Sequence, residues 1–265
     1  ALIKATKNHD QVVAFFLYKK QKYKDQEAQK WWVSKSLLNF RKQLNNLNIS
    51  LEIIETSSFK LFFDKLLEKR DFTMYWNKVY EPDYLKFDKY LLSAFKNKNI
   101  PNKRFKGNIL NEIDEIKKSD GTPFKVFTPF WRNAEQVFLD AIPQKISEMK
   151  KLKNKKILFN SKKTFKHIMP NKEWFKKFDK YWKPSEDEAN KNLEEFINNR
   201  ISKYGINRDY PSIDGSSKLS PYIRNGQIHV SAIYEKCSKD IKKNISIRKY
   251  INELGWREFS HSLIN

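Results

Sequence analysis

Apolar and polar positions along this chain switch between two periods. Gln11-Val-Val-Ala-Phe-Phe-Leu-Tyr18 is a short unbroken apolar run, the pattern of a buried strand. Residues 26–46 predict a helix that sets Leu37, Phe40, Leu44 and Leu47 on one stripe. Ile49-Ser-Leu-Glu-Ile-Ile54 alternates and predicts a second strand. Ser57 or Ser58 can cap the next helix, which carries Leu61, Phe62, Leu66 and Leu67. Phe72-Thr-Met-Tyr-Trp76 predicts a third strand. Residues 82–97 predict a further helix with Pro82 tolerated in its first turn, and a short extended piece follows around Lys103-Arg-Phe105.

Strand and helix alternate with short links, which predicts an α/β fold built on a parallel sheet covered by helices. The pattern changes over residues 141–183. Lysine is dense there, strand signals are absent, and Pro143, Pro170 and Pro184 punctuate the stretch. It reads as a long surface connection with some helix. Ser185-Glu-Asp-Glu188 then opens a helix with acids in its first turn, continued by Leu193, Phe196, Ile197 and Ile201. From there to Asn265 the pattern predicts helices and loops only. The expected domains are 1–125, an α/β domain; 126–183, a connection; and 184–265, a helical domain.

Composition narrows the partners. The 265 residues carry a formal net charge of +22, which attracts polyanions such as nucleic acid or an anionic membrane. A general bias toward Lys and Asn is the competing explanation. No apolar run approaches the ~20 residues of a membrane helix. No basic-then-apolar segment opens the sequence, and one cysteine, Cys237, fits a reducing compartment, so the expected location is the cytoplasm.

Two stretches could carry chemistry. Tyr204 to Tyr222 runs through Arg208-Asp209 and a glycine into Ser216-Ser217-Lys218-Leu219-Ser220. Taken by itself, the serine cluster is an ordinary helix cap. It is also a set of hydroxyl, ammonium and N–H donors at a helix start, which suits a phosphate. Arg208 reads either as a locally paired arginine or as a phosphate clamp. Glu253, Trp256 and Arg257 share one helix. They read either as a core tryptophan beside a surface ion pair or as a base-recognition site. The four histidines show no metal spacing, and no P-loop or Gly-x-Gly-x-x-Gly occurs.

Five motifs in order resemble the DNA photolyase/cryptochrome family. They are Trp31-Trp-Val-Ser-Lys-Ser-Leu37, Asn77-Lys-Val-Tyr-Glu-Pro82, Gly121-Thr-Pro-Phe-Lys-Val-Phe-Thr-Pro-Phe-Trp131, Ser216 to Gly226, and Glu253-Leu-Gly-Trp-Arg-Glu-Phe259. Ser34 stands where that family usually has His, and Ser216 where it has Thr. The resemblance is strongest to bacterial class I cyclobutane pyrimidine dimer photolyases. It implies a Rossmann-like parallel-sheet antenna domain without its first strand, followed by the start of an all-α flavin-binding domain. The sequence is thus expected to be an internal fragment.

The resemblance also implies roles. FAD would be held by Tyr204, Ser216, Ser217, Lys218, Leu219, Ser220, Tyr250 and Arg257. DNA would meet Arg208, Glu253 and Trp256, with Glu253 and Trp256 acting on the dimer. An antenna chromophore, methenyltetrahydrofolate or deazaflavin, would sit near Glu81. The implied function is reduced-FAD-driven electron transfer that splits pyrimidine dimers in DNA, by a monomer with no membrane partner and no metal. A cryptochrome-type blue-light photoreceptor and a flavin-free nucleic-acid-binding fragment are the alternatives.

Overall fold

The computed structural model describes residues 1–19, 26–69, 71–137, 149–158, 168–170, 173–239 and 244–264. The chain divides into two compact units that interleave along it. One is an α/β unit of Ala1–Lys78, Lys86–Phe105 and Gln144–Ser185; the other is a helical unit of Val79–Leu85, Lys106–Pro143 and Glu186–Asn265. The sequence instead suggested a division at 125 and 183. Residues 106–125 group with the helices, and the lysine-rich stretch groups with the strands.

In the α/β unit the expected elements form close to where the pattern puts them. They are α1 (Leu2–Asn8), β1 (Val13–Tyr18), α2 (Glu27–Asn46), β2 (Ser50–Glu55), α3 (Phe59–Leu66), β3 (Met74–Asn77), α4 (Pro82–Asn97, whose first turn lies in the helical unit) and β4 (Asn102–Phe105). All pairing is parallel, but it makes two pairs rather than one ladder: β1 with β2, and β3 with β4. Side chains alternate across β1. Ala14, Phe16 and Tyr18 join a core with Leu37, Leu44, Ile49, Leu51 and Ile53. Phe15 and Leu17 point the other way, into a core with Phe63, Leu91 and Phe95 that also receives Met74 and Trp76 of β3. Burial on both faces explains why β1 is apolar without a break.

Asp88 of α4 is buried and holds β3 and β4 together. One carboxylate oxygen accepts the indole N–H of Trp76 at 2.6 Å, and the other accepts Arg104. Trp76 and Arg104 are direct partners in the β3–β4 register.

The segment 149–158 corrects one expectation. It is not merely a surface connection, because Met149 and Leu152 are buried in the α/β core, as is Ile168 further on. Its backbone is fixed to the end of α2 and to β2. The Leu152 N–H donates to Leu47 at 3.0 Å, and the Leu152 carbonyl accepts from the Asn48 amide at 2.7 Å. Ser50 donates to the Lys156 carbonyl at 2.6 Å, and the Leu158 N–H donates to the buried Glu52 at 2.5 Å.

The helical unit holds α5 (Phe127–Val137), α6 (Glu186–Asn199), α7 (Tyr204–Asn207), α8 (Ser220–Arg224), α9 (Val230–Ser238) and α10 (Ile245–Ile264). No strand occurs in its described residues. Its core is aromatic: Phe196 lies 4.7 Å from Tyr250 and 5.8 Å from Tyr204 between ring centroids. Cys237 is buried, and burial raises its thiol to about 12, so it is an inert core residue. No helix among the described residues is long and apolar enough to cross a membrane.

Candidate functional site

α10 is the frame of the site, and two glycines let other helices approach it closely. A Cβ on Gly255 would come within 2.5 Å of the Trp131 indole of α5. A Cβ on Gly205 of α7 would meet Lys249 at 2.9 Å and Ser246 at 3.0 Å, both on α10. These contacts fix α5 and α7 on different sides of the helix that carries Glu253, Trp256 and Arg257.

Between α7 and α10 lies an open cleft of about 330 Å³, lined by Gly205, Arg208, Asp209, Lys249, Asn252, Glu253 and Trp256. That volume is in the range of small-ligand sites. Arg208 donates to the Glu253 carboxylate at 2.5 Å, lies 3.7 Å from Asp209, and covers the Tyr204 ring at 5.1 Å. Sequence reading had separated Arg208 and Glu253 into two roles; the structure joins them. Trp256 is 47% exposed and rests flat on Phe127, with centroids 3.8 Å apart and planes within 9°. An exposed indole backed by a second ring is a rigid apolar wall with one open π-face. Phe127 was missed, although it lies inside the quoted Gly121–Trp131 motif.

The serine cluster is arranged differently from a helix start. α8 begins only at Ser220, and Pro221 occupies its first turn. Lys218 takes a left-handed backbone, φ 54°, which ends any helix before it forms. Ser216 to Leu219 therefore make a tight turn. Ser216, Lys218 and Ser220 are exposed, while Leu219 is buried as the anchor. The Ser217 hydroxyl accepts the Leu219 N–H at 3.4 Å and hydrogen-bonds Tyr250, which is buried between Phe196 and Tyr204. Asp214 bridges Lys218 at 2.9 Å and Arg200 at 3.0 Å. Arg200 also lies 3.8 Å from Glu195, so the cluster pairs two cations with two carboxylates.

Arg257 and Glu258 face inward. Arg257 donates to the Asn108 carbonyl at 2.6 Å and to Glu258 at 3.0 Å. The other oxygen of Glu258 accepts the N–H groups of Leu110 at 2.7 Å and Asn111 at 3.4 Å. Burial pushes the Glu258 carboxyl up to about 7, against the opposing pull of Arg257 and the two N–H donors. The same loop is held by Tyr80, whose hydroxyl accepts the Gly107 N–H at 3.1 Å. His229 holds it too, with its Nε2 3.0 Å from the Gly107 carbonyl. The backbone N–H of Ser231 donates to Nδ1 of His229 at 3.2 Å, so the Nε2–H tautomer donates to Gly107. Burial lowers the His229 pKa and keeps the ring neutral. None of this clamp was read from the sequence, because His229, Arg257 and Glu258 meet the loop from more than 120 positions away.

The remaining antenna residue, Glu81, is exposed in the helical unit. Among the described residues no group of His, Cys, Asp and Glu is arranged to hold a metal.

The chain is similar to proteins of known family. A family model described as DNA photolyase matches residues 1–148. A deoxyribodipyrimidine photo-lyase of Agrobacterium fabrum is 27% identical over the whole chain, which covers 56% of that relative. One from Alkalihalophilus pseudofirmus is 32% identical over 61% of the chain and 33% of the relative. The crystal structure of a bacterial class III photolyase from Agrobacterium tumefaciens superposes over the full chain with a TM-score of 0.85 and 24% identity, covering 55% of that structure. The motifs had pointed to class I, whereas this neighbour is a class III protein, and at that identity the likeness shows the fold alone. The chain spans about half the length of these full-coverage matches. With parallel strands, the helices that follow them, and a family model over more than half of its residues, the chain belongs to the DNA photolyase family.

Proposed function

We propose that the protein containing this chain is a light-driven repair lyase that splits cyclobutane pyrimidine dimers in DNA, with FAD as its cofactor. The observation that carries this reading is Trp256, half exposed at the rim of the cleft and braced by Phe127. A dimer must leave the base stack to meet a buried cofactor, and a flat indole gives the extruded bases a surface. Glu253 and Asn252 line the same cleft and offer hydrogen-bonding groups to base edges. Arg208 holds Glu253 in place and presents its remaining N–H groups to a phosphate.

The donor set of the serine turn fits a dinucleotide's phosphates. Ser216, Ser220 and the Lys218 ammonium are exposed on one turn. Ser217 and Leu219 tie that turn to Tyr250 and the core, and Tyr204 stands beside Tyr250 at 5.0 Å. These residues would hold FAD; reduced and excited, it would supply the electron that opens the cyclobutane ring. Arg257 acts at one remove, by fixing α10 to the 106–111 loop. The reading extends to an antenna chromophore, a folate or deazaflavin, near Glu81 in a monomeric, cytoplasmic enzyme divided into α/β, connecting and helical regions.

The test uses the intact protein, loaded with FAD, reduced and illuminated with dimer-containing single-stranded DNA. Light-dependent loss of dimers is expected, with Trp256→Ala repairing about tenfold more slowly at limiting substrate. Ser217→Ala with Ser220→Ala should release flavin while the α/β unit stays folded. A flavin-bound, photoreducible protein that leaves dimers intact would replace this reading with a photoreceptor.

A further inference from the structure

The positive charge of this chain is carried by one unit. The α/β unit has 35 Lys and Arg against 12 Asp and Glu, whereas the helical unit has 18 against 19. A chain-wide preference for lysine would load both units alike, so compositional bias does not account for the asymmetry. The unit that bears the Arg208–Trp256 cleft is close to neutral. The field that draws in a polyanion therefore originates on the α/β unit.

Residues 144–185 concentrate it, with 14 lysines and three acids in 42 residues. The described part of that stretch is a ridge. Met149 and Leu152 are buried, and backbone and side-chain bonds fasten 152–158 to α2 and β2. Lys150, Lys151, Lys153, Lys155 and Lys156 all remain exposed on this anchored backbone. Lys155 bonds the neutral Asn45 amide at 2.8 Å, and no ion pair to a carboxylate joins these five among the described residues. Lys176, Lys177, Lys180 and Lys183 are exposed further along, on a 3-10 turn (Glu173–Lys180) and just after it. That turn is pinned to α2 by Phe178 against Trp31 at 5.3 Å, with Trp182 just beyond it against Trp32 at 5.5 Å.

We propose that this lysine ridge is a docking surface for the sugar-phosphate backbone of a DNA duplex, additional to the cleft on the helical unit. Lysines are point charges on flexible stems, suited to phosphates and indifferent to base sequence. Holding five of them on a fixed backbone, without acid partners, keeps their charge available. A membrane surface is the less fitting partner. Interfacial binding needs a continuous apolar face beside the charge; here Ile157 and Tyr181 are exposed as single residues among the lysines, while Trp31 and Phe178 pack inward. The choice of duplex rests on the repair reading, but the ridge is tested with undamaged DNA and so stands or falls independently.

The experiment is fluorescence anisotropy of the intact protein with a dimer-free duplex across a salt series, repeated with the same duplex carrying a dimer and alongside co-sedimentation with phosphatidylserine vesicles. It compares Lys150, Lys151, Lys153, Lys155 and Lys156 changed together to Gln with a control in which Lys86, Lys89, Lys96, Lys98 and Lys103, exposed elsewhere on the same unit, are changed to Gln. The ridge variant should bind at least about tenfold more weakly at low salt, and its log–log salt slope should fall by about 3. The charge-matched control should lose less than about twofold in affinity and keep most of the slope. Unchanged thermal unfolding of the ridge variant shows that the loss is not misfolding. Unaltered affinity and slope in a folded ridge variant would overturn the proposal, as would tighter ridge-dependent binding to phosphatidylserine vesicles than to duplex. Persisting lysine dependence with no preference for dimer-containing DNA would sink the repair reading alone.

Discussion

Trp256 lies flat on Phe127, their centroids 3.8 Å apart and their planes within 9°, so the indole that faces the cleft is held from behind. A stacked pair contributes about 0.5–1.5 kcal/mol beyond the area it buries. Phe127→Ala should therefore weaken binding to dimer-containing DNA by several-fold without touching the ligand. In a double-mutant cycle with Trp256→Ala the two losses should not add. Strict additivity would show that Phe127 does not position the indole.

Arg208 and Glu253 form one unit at 2.5 Å, so under the proposed repair function lesion binding and backbone binding would share a residue. Arg208→Lys keeps the charge but not the planar fork that reaches Glu253 and a phosphate together. The expected result is a lesion-to-undamaged affinity ratio that falls several-fold, while undamaged duplex loses less than about twofold. Equal losses on both substrates would leave Arg208 as a backbone contact only.

Glu258 makes stability depend on pH in a defined direction. Burial raises its carboxyl from 4.5 to about 7 in the folded protein. A raised acid contributes stability that is present in full below about 4.5 and is lost as pH rises through about 7. The term amounts to at most about 3 kcal/mol. His229 and His261, both lowered by burial, act oppositely: their contribution is present above 6.5 and is lost as pH falls below it. Comparison with Glu258→Gln isolates the carboxyl. In denaturant unfolding between pH 5 and 8, the original protein should gain on the variant as pH falls. Parallel curves would remove Glu258 as the titrating group.

Gly255→Ala would place a methyl group 2.5 Å from the Trp131 ring. Neither the helix nor a buried indole can yield cheaply, so a destabilisation of about 1–3 kcal/mol is expected. Thermal unfolding checks it; an unchanged midpoint would mean that α5 and α10 can separate at no cost.

What the sequence revealed follows from how local the signal was. β1 announced itself because both of its faces are buried, and α2 because its stripe falls on one core. Met149 and Leu152 were hidden, since each is a lone apolar residue beside lysines, and Ile168 because its contacts are distant. The start of α8 was misplaced by the hydroxyl cluster; Ser220 followed by Pro221 was the better signal. Glu253, Trp256 and Arg208 were legible as a motif, but their pairing was not. Glu258 and Phe127 gave no local sign, because their roles come from the loop and the helix packed against them.

Asp88 offers its two oxygens to two residues that face each other across a parallel pair. Sliding β4 by one residue along β3 would turn Arg104 to the opposite face of the sheet and leave the carboxylate half-satisfied in a dry site. α4 lies between the two strands in the chain, so the carboxylate sits on the crossover that brings β4 beside β3. The helix thus acts as a gauge that accepts a single alignment. Four-residue strands have little ladder of their own with which to reject a slipped pairing, and Asp88 supplies that discrimination.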